Sequence, residues 1–229
     1  MDAVVVCGAG GSLGRAVVAE LSRSAELVIA VGKPGFEGSS LTDQRSGGEV
    51  RRLGADLADP ASVSRLWETI DTLGRPEALV NVVGGFQSGS VLDGDPNQYQ
   101  AMMHLNLDTA WWSCREAASR LVKVDSGAIV NVSARAGRVG GAGSAAYAVS
   151  KAAVIRLTEV LAVELAAHRI RVNCVLPALI ESEANSTSMS ADAIVRAVPP
   201  KAIARVIAFL VSSDGWPISG ASIPVYGWA

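Results

Sequence analysis

Apolar residues in this chain fall into short solid blocks, separated by longer stretches in which they recur every three or four positions. Ala3 to Cys7, Glu26 to Val31, Val50 to Leu53, Ala78 to Val83, Ala128 to Val132, Arg171 to Leu176 and Ser222 to Val225 have strand length. The Val-rich block at 3–7 is apolar throughout and that at 78–83 is apolar but for Asn81, not alternating, as strands covered on both faces are. Helical periodicity is expected from Arg15 to about Arg23, from Asp59 to about Leu73, from Gln98 to about Val122, from Tyr147 to about Leu165, and near Ala202 to Val211. Asp59-Pro60 suits an N-cap followed by a first-turn proline. Strands alternating with helices predict an α/β fold: a single-domain Rossmann doubly wound parallel sheet over residues 1–229, with helices on both faces. Ligands then bind at the carboxyl ends of the strands. Pro34 to Gly48 reads as a surface loop or a poor helix. Polar residues from Ser182 onward, to about Pro199, read as a flap over the site.

The first strand runs into Gly8-Ala9-Gly10-Gly11-Ser12-Leu13-Gly14, and a helix follows. Such a turn aims main-chain amides and the positive helix end at a pyrophosphate. Leu13 occupies the third slot of a strict G-x-G-x-x-G, so the wider spacing from Gly8 to Gly14 is what fits. The alternative is an ordinary tight βα turn. The second strand ends Val31-Gly32-Lys33, with no carboxylate to hold ribose hydroxyls. Lys33 would attract a 2′-phosphate, which favours NADP(H) over NAD(H). Arg15 is a candidate helper, and the alternative for Lys33 is a solvated loop residue.

Tyr147 and Lys151 stand four apart at the start of a helical pattern, and so share a helix face. An ammonium close to a phenol favours phenolate and is expected to lower the tyrosine pKa from its free value of about 10. A tyrosine tuned in that way exchanges protons near neutral pH. The alternative is a half-buried tyrosine beside a surface lysine.

Composition narrows the setting. Of 229 residues, 49% are hydrophobic and 18% charged, enough for one domain with a full core. A formal net charge of -2 gives no reason to expect nucleic acid or an anionic membrane as partner. Cys7, Cys114 and Cys174 are isolated in apolar runs, which predicts no disulfide framework, no metal site and a reducing, cytoplasmic setting. His104 and His168 are far apart and are assigned surface or helix-end roles. Met1-Asp2 leads straight into a strand, so no signal peptide is expected. The long apolar stretch from Ala152 to Ala167 is broken by Arg156, Glu159 and Glu164, so no membrane span is expected. Trp111 and Trp112 suit packing or a subunit contact.

Together these motifs resemble the short-chain dehydrogenase/reductase family over nearly the whole chain. The glycine loop is similar to the family's T-G-x-x-x-G-x-G, with Cys7 for Thr and Ser12 for the middle Gly. Asp56-Leu57 resembles the adenine-contacting pair. Asn81-Val82-Val83-Gly84 resembles N-N-A-G, and Pro177-Ala178-Leu179-Ile180-Glu181-Ser182 resembles P-G-x-x-x-T. Besides Lys33, read above from its charge, the resemblance implies that Gly8, Gly10, Gly11, Ser12, Leu13, Gly14, Asp56, Leu57, Asn81, Val82, Gly84, Tyr147, Lys151, Pro177, Ile180 and Ser182 contact the dinucleotide. It implies a catalytic set of Tyr147, Lys151 and Asn106, with Asn106 anchoring a water near the lysine, and a homodimer or homotetramer acting on a small-molecule substrate. The departure is the catalytic serine. Thirteen residues before Tyr147 stands Ala134, and Ser133 is one residue early. Adjacent strand residues face opposite ways, so Ser133 can substitute only if the strand end is bulged or irregular. Ser144 is a weaker candidate.

Locally, Gly84-Gly85-Phe86-Gln87-Ser88-Gly89 and Ile223-Pro224-Val225-Tyr226-Gly227 resemble the dihydropteridine-reductase-like branch, which lacks this serine. The resemblance therefore implies an NADPH-dependent reductase of an activated carbonyl or imine-like acceptor. Dihydropteridine reductase-like activity with NADH and a non-catalytic NADP(H) sensor are the alternatives. A methyltransferase would leave Tyr147, Lys151 and Asn106 without a role. The flap holds no aromatic residue, so a large lipid acyl substrate is not expected.

Overall fold

The computed structural model describes residues 1–37, 47–181 and 196–228. Seven described strands, β1 (Ala3–Cys7), β2 (Leu27–Gly32), β3 (Glu49–Gly54), β4 (Pro76–Asn81), β5 (Gly127–Val132), β6 (Ile170–Pro177) and β7 (Ser222–Val225), form one sheet in the order β3-β2-β1-β4-β5-β6-β7. Every pairing is parallel. The chain steps outward from β1 to β3 and then returns to β4, so the strand order reverses between β1 and β4. A crevice opens at the carboxyl ends of such a pair.

Alternation along each strand sorts its side chains between two cores. Val5, Ile29, Leu79, Ile129 and Val172 face α2 (Pro60–Leu73), α4 (Thr109–Leu121) and α5 (Ala145–Glu164), with Trp67 fully buried among them. Val4, Val6, Val28 and Val130 face α1 (Ser12–Leu21) and α6 (Pro200–Val211), where Val17, Ile203 and Ile207 meet them. Fully burying one such side chain is worth about 1.5–3 kcal/mol, so this double cover is what holds the sheet together under the crevice. Asp59 caps α2 as expected, accepting from the amides of Ala61 (3.1 Å) and Ser62 (3.0 Å).

The structure revises some of the expected bounds. β4 ends at Asn81, not Val83: the Val82 amide still donates to Cys7 (2.8 Å), and the chain then leaves the sheet to wall the crevice. The long helix expected from Gln98 begins earlier, as α3 (Pro96–Met103), capped by Asp95 through the Asn97 amide (2.9 Å). It passes through a π-helical turn, His104–Asp108, before α4 begins. Most of the expected Pro34 to Gly48 loop (38–46) and of the flap (182–195), with Ser182, lies outside the described residues.

Candidate active site

At the end of β1 the backbone turns at Gly8, whose φ of +92° suits glycine. The amides of Gly8 and Ala9 both donate to the Val31 carbonyl at 2.9 Å, which closes the turn on β2. A Cβ on Gly8 would lie 2.7 Å from the Val83 amide nitrogen, and one on Gly14 would overlap the Gly8 carbonyl. Loop, helix and β4 therefore meet backbone to backbone. Helix α1 starts at Ser12 after Gly11, with no side-chain cap and no acidic residue in its first turn. Its first amides are left for an anion.

From this turn a groove of about 920 Å³ runs past Gly32, Lys33 and Asp56 on one side and Val82 and Gly84 on the other. A Cβ at Gly32 would collide with the Phe36 ring, and the Arg52 guanidinium lies 5.4 Å from the centre of that ring. Phe36 thus fills the space of a side chain at position 32, and exposed Lys33 stands as the local cation. A backbone cradle with no room for side chains, a free helix end and a cation at the outer edge suit a dinucleotide. A cavity of about 1020 Å³ against Gly127, Ile170 and Arg171 lies at the other, amino end of the strands, away from these residues.

The groove leads to a compact polar cluster. Asn106 sits in the π-helical turn, a distortion often found at functional sites. Its Nδ2 donates to the Gly85 carbonyl (3.1 Å) and the Ser150 hydroxyl (3.0 Å), and its Oδ1 accepts from the Gly85 amide (3.0 Å). Ser150 in turn donates to the Tyr147 carbonyl (2.8 Å). Gly84 lies in the middle: a Cβ there would be 2.7 Å from Lys151 Nζ and 2.9 Å from Asn106 Oδ1. The structure therefore brings Asn106, Gly84 and Lys151 together, with Tyr147 joined to them through Ser150.

The electrostatics depart from expectation. Lys151 is 4% exposed, and its Nζ donates to the Val132 carbonyl at 3.0 Å. Burial lowers its pKa from 10.5 to about 8. The lowering expected for Tyr147 is absent: burial raises its pKa, and the phenol ring meets Phe86 edge-on at 5.0 Å between centroids. The i,i+4 spacing puts both residues on one face, but the ammonium is tied to β5.

Ser133 also differs from expectation. It is 3% exposed, its amide donates to the Val175 carbonyl (3.0 Å), and its hydroxyl donates to the Lys151 carbonyl (2.7 Å). Ala134 is regularly extended at φ -157°, ψ 161°, so no bulge turns Ser133 toward the crevice. Ser144 is the N-cap residue of α5 and makes no capping bond through its side chain. Asn81 likewise points inward. Its Nδ2 donates to Asn131 Oδ1 (2.8 Å), and Asn131 donates to Thr158 (3.0 Å), so the pair joins β4, β5 and α5. Asp56 accepts from the Ala58 amide (3.0 Å) at the groove edge, beside buried Leu57. Pro177 closes β6, and Ile180 pairs with Val198. His104 is an exposed residue at the end of α3, as expected, at the groove edge and paired with Asp108, while His168 pairs with Asp125 at 2.7 Å.

Phe36 and Ser150 were not anticipated. The only signals were an aromatic in the loop after β2 and a serine next to Lys151. All three cysteines are free and buried, with burial pushing each thiol up to about 12. Among the described residues, no group of three or more His, Cys, Asp or Glu is placed to hold a metal ion, and no helix is long and apolar enough to cross a membrane.

The sequence matches the family described as short chain dehydrogenase over residues 2–193. This chain belongs to that family. It is therefore an oxidoreductase of the short-chain dehydrogenase group, whose members use NAD(P)(H). It is 29% identical to meso-2,3-butanediol dehydrogenase of Serratia marcescens, over 99% of this chain and 93% of that protein. It is 31% identical to (3R)-3-hydroxyacyl-CoA dehydrogenase of Canis lupus familiaris, over 97% of this chain and 94% of that one. Among solved structures it resembles a tyrosine-to-phenylalanine variant of ElxO with NADPH bound, with a TM-score of 0.89 and 25% identity over 99% of this chain and 97% of that one.

Proposed function

We propose that this short-chain dehydrogenase is an NADPH-dependent reductase of a small activated carbonyl or imine-like acceptor. The observation that carries the reading is the meeting of Lys151 Nζ and Asn106 Oδ1 around Gly84, with Tyr147 one helical turn before Lys151, at the inner end of a groove that suits a dinucleotide.

Gly8, Gly10, Gly11, Ser12, Leu13 and Gly14 would hold the pyrophosphate by main-chain amides. Lys33 would face the 2′-phosphate; Phe36 over Gly32 supports this, because it fills the volume that a ribose-binding carboxylate would need. Asp56, Leu57, Val82 and the main chain at Asn81 would border the adenosine, and Pro177, Ile180 and Ser182 the nicotinamide end. When bound, reduced nicotinamide supplies a hydride to an electrophilic carbon. Tyr147 donates the matching proton, and its raised pKa keeps it protonated for that purpose. Lys151, with a pKa of about 8, is poised to pass a proton back toward the tyrosine. Asn106 fixes Gly85 through two hydrogen bonds and ties α5 to this wall through Ser150, so that the tyrosine is held in place.

Ala134 leaves no hydroxyl where the family carries one. Losing such a donor typically costs about 2.7–4 kcal/mol of transition-state stabilisation, so simple ketones are expected to react slowly and activated acceptors to react well. Ala134 and the Phe86–Tyr147 contact also favour a second reading, dihydropteridine reductase-like activity with NADH. A non-catalytic NADP(H) sensor is disfavoured by the complete Tyr147, Lys151 and Asn106 set.

A second copy of the chain is the expected partner. Val160 (43%), Val163 (79%) and Trp111 (50%) are exposed on α5 and α4, and a helix with apolar residues on all sides is one that becomes buried. A cytoplasmic location fits the three free, buried thiols.

The test is steady-state oxidation of NADPH and of NADH with quinonoid dihydropterin, a diketone, a quinone and a simple aryl ketone. Turnover of the activated acceptors with NADPH supports the reading. A preference for NADH with the dihydropterin would favour the second reading, and tight NADPH binding with no turnover would favour the sensor.

A further inference from the structure

We propose that Arg135 selects the acceptor, and that the acceptor carries a carboxylate beside the carbonyl to be reduced. This rests on the reductase reading and adds a substrate class to it. From Ser133 to Lys151 the chain contains Arg135, Arg138 and Lys151 and no acidic residue, and Gly84 to Ser90 contains none either. The net charge of the whole chain is -2, yet these two segments carry only cationic charges.

Arg135 opens the short 3-10 turn Arg135–Gly137, directly after Ala134. That turn is fastened to α5: a Cβ on Gly137 would lie 2.7 Å from the Lys151 carbonyl carbon. It is fastened to β7 as well, because Arg138 Nη1 donates to the Ser222 carbonyl at 3.4 Å. The Arg135 guanidinium stands 5.8 Å from the centre of the Tyr226 ring, just past the end of β7. Tyr226 itself packs against the core, so the aromatic platform is fixed.

Among the described residues the Arg135 guanidinium makes no ion pair and no hydrogen bond, whereas Arg120 pairs with both Asp71 and Glu116 and Arg156 pairs with Glu159. A guanidinium held on an aromatic face keeps its planar fork of donors available to a carboxylate. Arg135 follows directly on Ala134, the position without a hydroxyl. A carboxylate held there would orient the neighbouring carbonyl toward Tyr147, the positioning that the absent serine would otherwise help to supply.

The matched acceptors are benzoylformate and its neutral methyl ester, compared in wild-type, Arg135→Met and Arg135→Lys proteins with NADPH. The wild type should prefer the carboxylate. In Arg135→Met, kcat/KM for benzoylformate should fall about 10- to 100-fold further than that for the ester, and Arg135→Lys should recover part of the difference. Benzoate binding to the NADP-saturated protein, followed by ligand-observed NMR, gives a readout without turnover, and Arg135→Met should abolish it. Loss of that binding in a protein that reduces neither acceptor would keep the anion site and dismiss the reductase reading. Equal losses on both acceptors, no benzoate binding to the wild type, or equal binding to wild type and variant would overturn the proposal.

Discussion

The Ser133 hydroxyl lies 2.7 Å from the Lys151 carbonyl oxygen, a bond that ties the end of β5 to the helix carrying Tyr147. One residue earlier on the same strand, the Val132 carbonyl accepts from Lys151 Nζ at 3.0 Å. Lys151 is therefore gripped at both its main chain and its side chain by two consecutive residues, the last of β5 and the one after it. Ser133→Ala should cost about 1 kcal/mol of stability, seen as a melting temperature lower by about 2–4 °C. Its kcat should stay within a few-fold of wild type. A large loss of kcat with unchanged stability would make Ser133 the missing donor.

Ala134→Ser places a hydroxyl thirteen residues before Tyr147, on the strand side opposite Ser133. The backbone is extended at this position, so it accepts the change. Turnover of a simple aryl ketone should rise on the order of ten-fold or more, since one well-placed donor is worth up to several kcal/mol in a transition state. Steady-state kinetics on wild type and variant measure the gain.

How much of this was legible in the sequence depends on whether a feature is local. β1 and β7 have the bounds that their apolar blocks predict, because a buried strand is written in its own residues. The glycine loop, the Asp59 cap and the Tyr147–Lys151 face are local in the same sense. The π-helical turn at Asn106 is not. It accompanies hydrogen bonds to Gly85, twenty-one residues away in sequence, and helical periodicity around 104–108 does not reveal it. Asn81 was expected to meet the ligand but bonds to Asn131 across the neighbouring strand, and only the β4–β5 register makes those two opposite. Tyr147 was expected to be acidified by its neighbour. Helix spacing says that Lys151 is near, but not that Val132 takes its ammonium.

Lys33→Ala should raise the KM for NADPH about ten-fold and leave that for NADH within about two-fold, because only the former carries the 2′-phosphate. Gly32→Asp should reverse the preference only if Phe36 moves, since a Cβ at 32 collides with its ring. The double variant Gly32→Asp, Phe36→Ala is therefore expected to favour NADH more than the single one. The ratio of kcat/KM for the two cofactors is the measurement.

The buried Lys151 gives a pH-dependent stability of known sign. Its pKa is about 8 folded and 10.5 as an ordinary lysine, so the folded state binds fewer protons between those values. Stability from this group therefore rises as pH increases from about 8 toward 10.5, and below about pH 8 the burial of the cation is a full penalty. The difference in unfolding free energy between wild type and Lys151→Met should grow in favour of wild type across that window. Denaturant titrations at pH 7, 8, 9 and 10 would show it, and a flat difference would contradict a lysine titrating near 8.

The most direct test of the central claim is Tyr147→Phe, assayed side by side for NADPH binding and for NADPH oxidation with an activated ketone. Removing only the phenolic oxygen keeps the ring against Phe86, so the groove should be preserved. NADPH should bind with a dissociation constant within a few-fold of wild type, while kcat falls by about 100-fold or more, the usual scale for a general acid. Retention of full turnover in this variant would contradict Tyr147 as the proton donor.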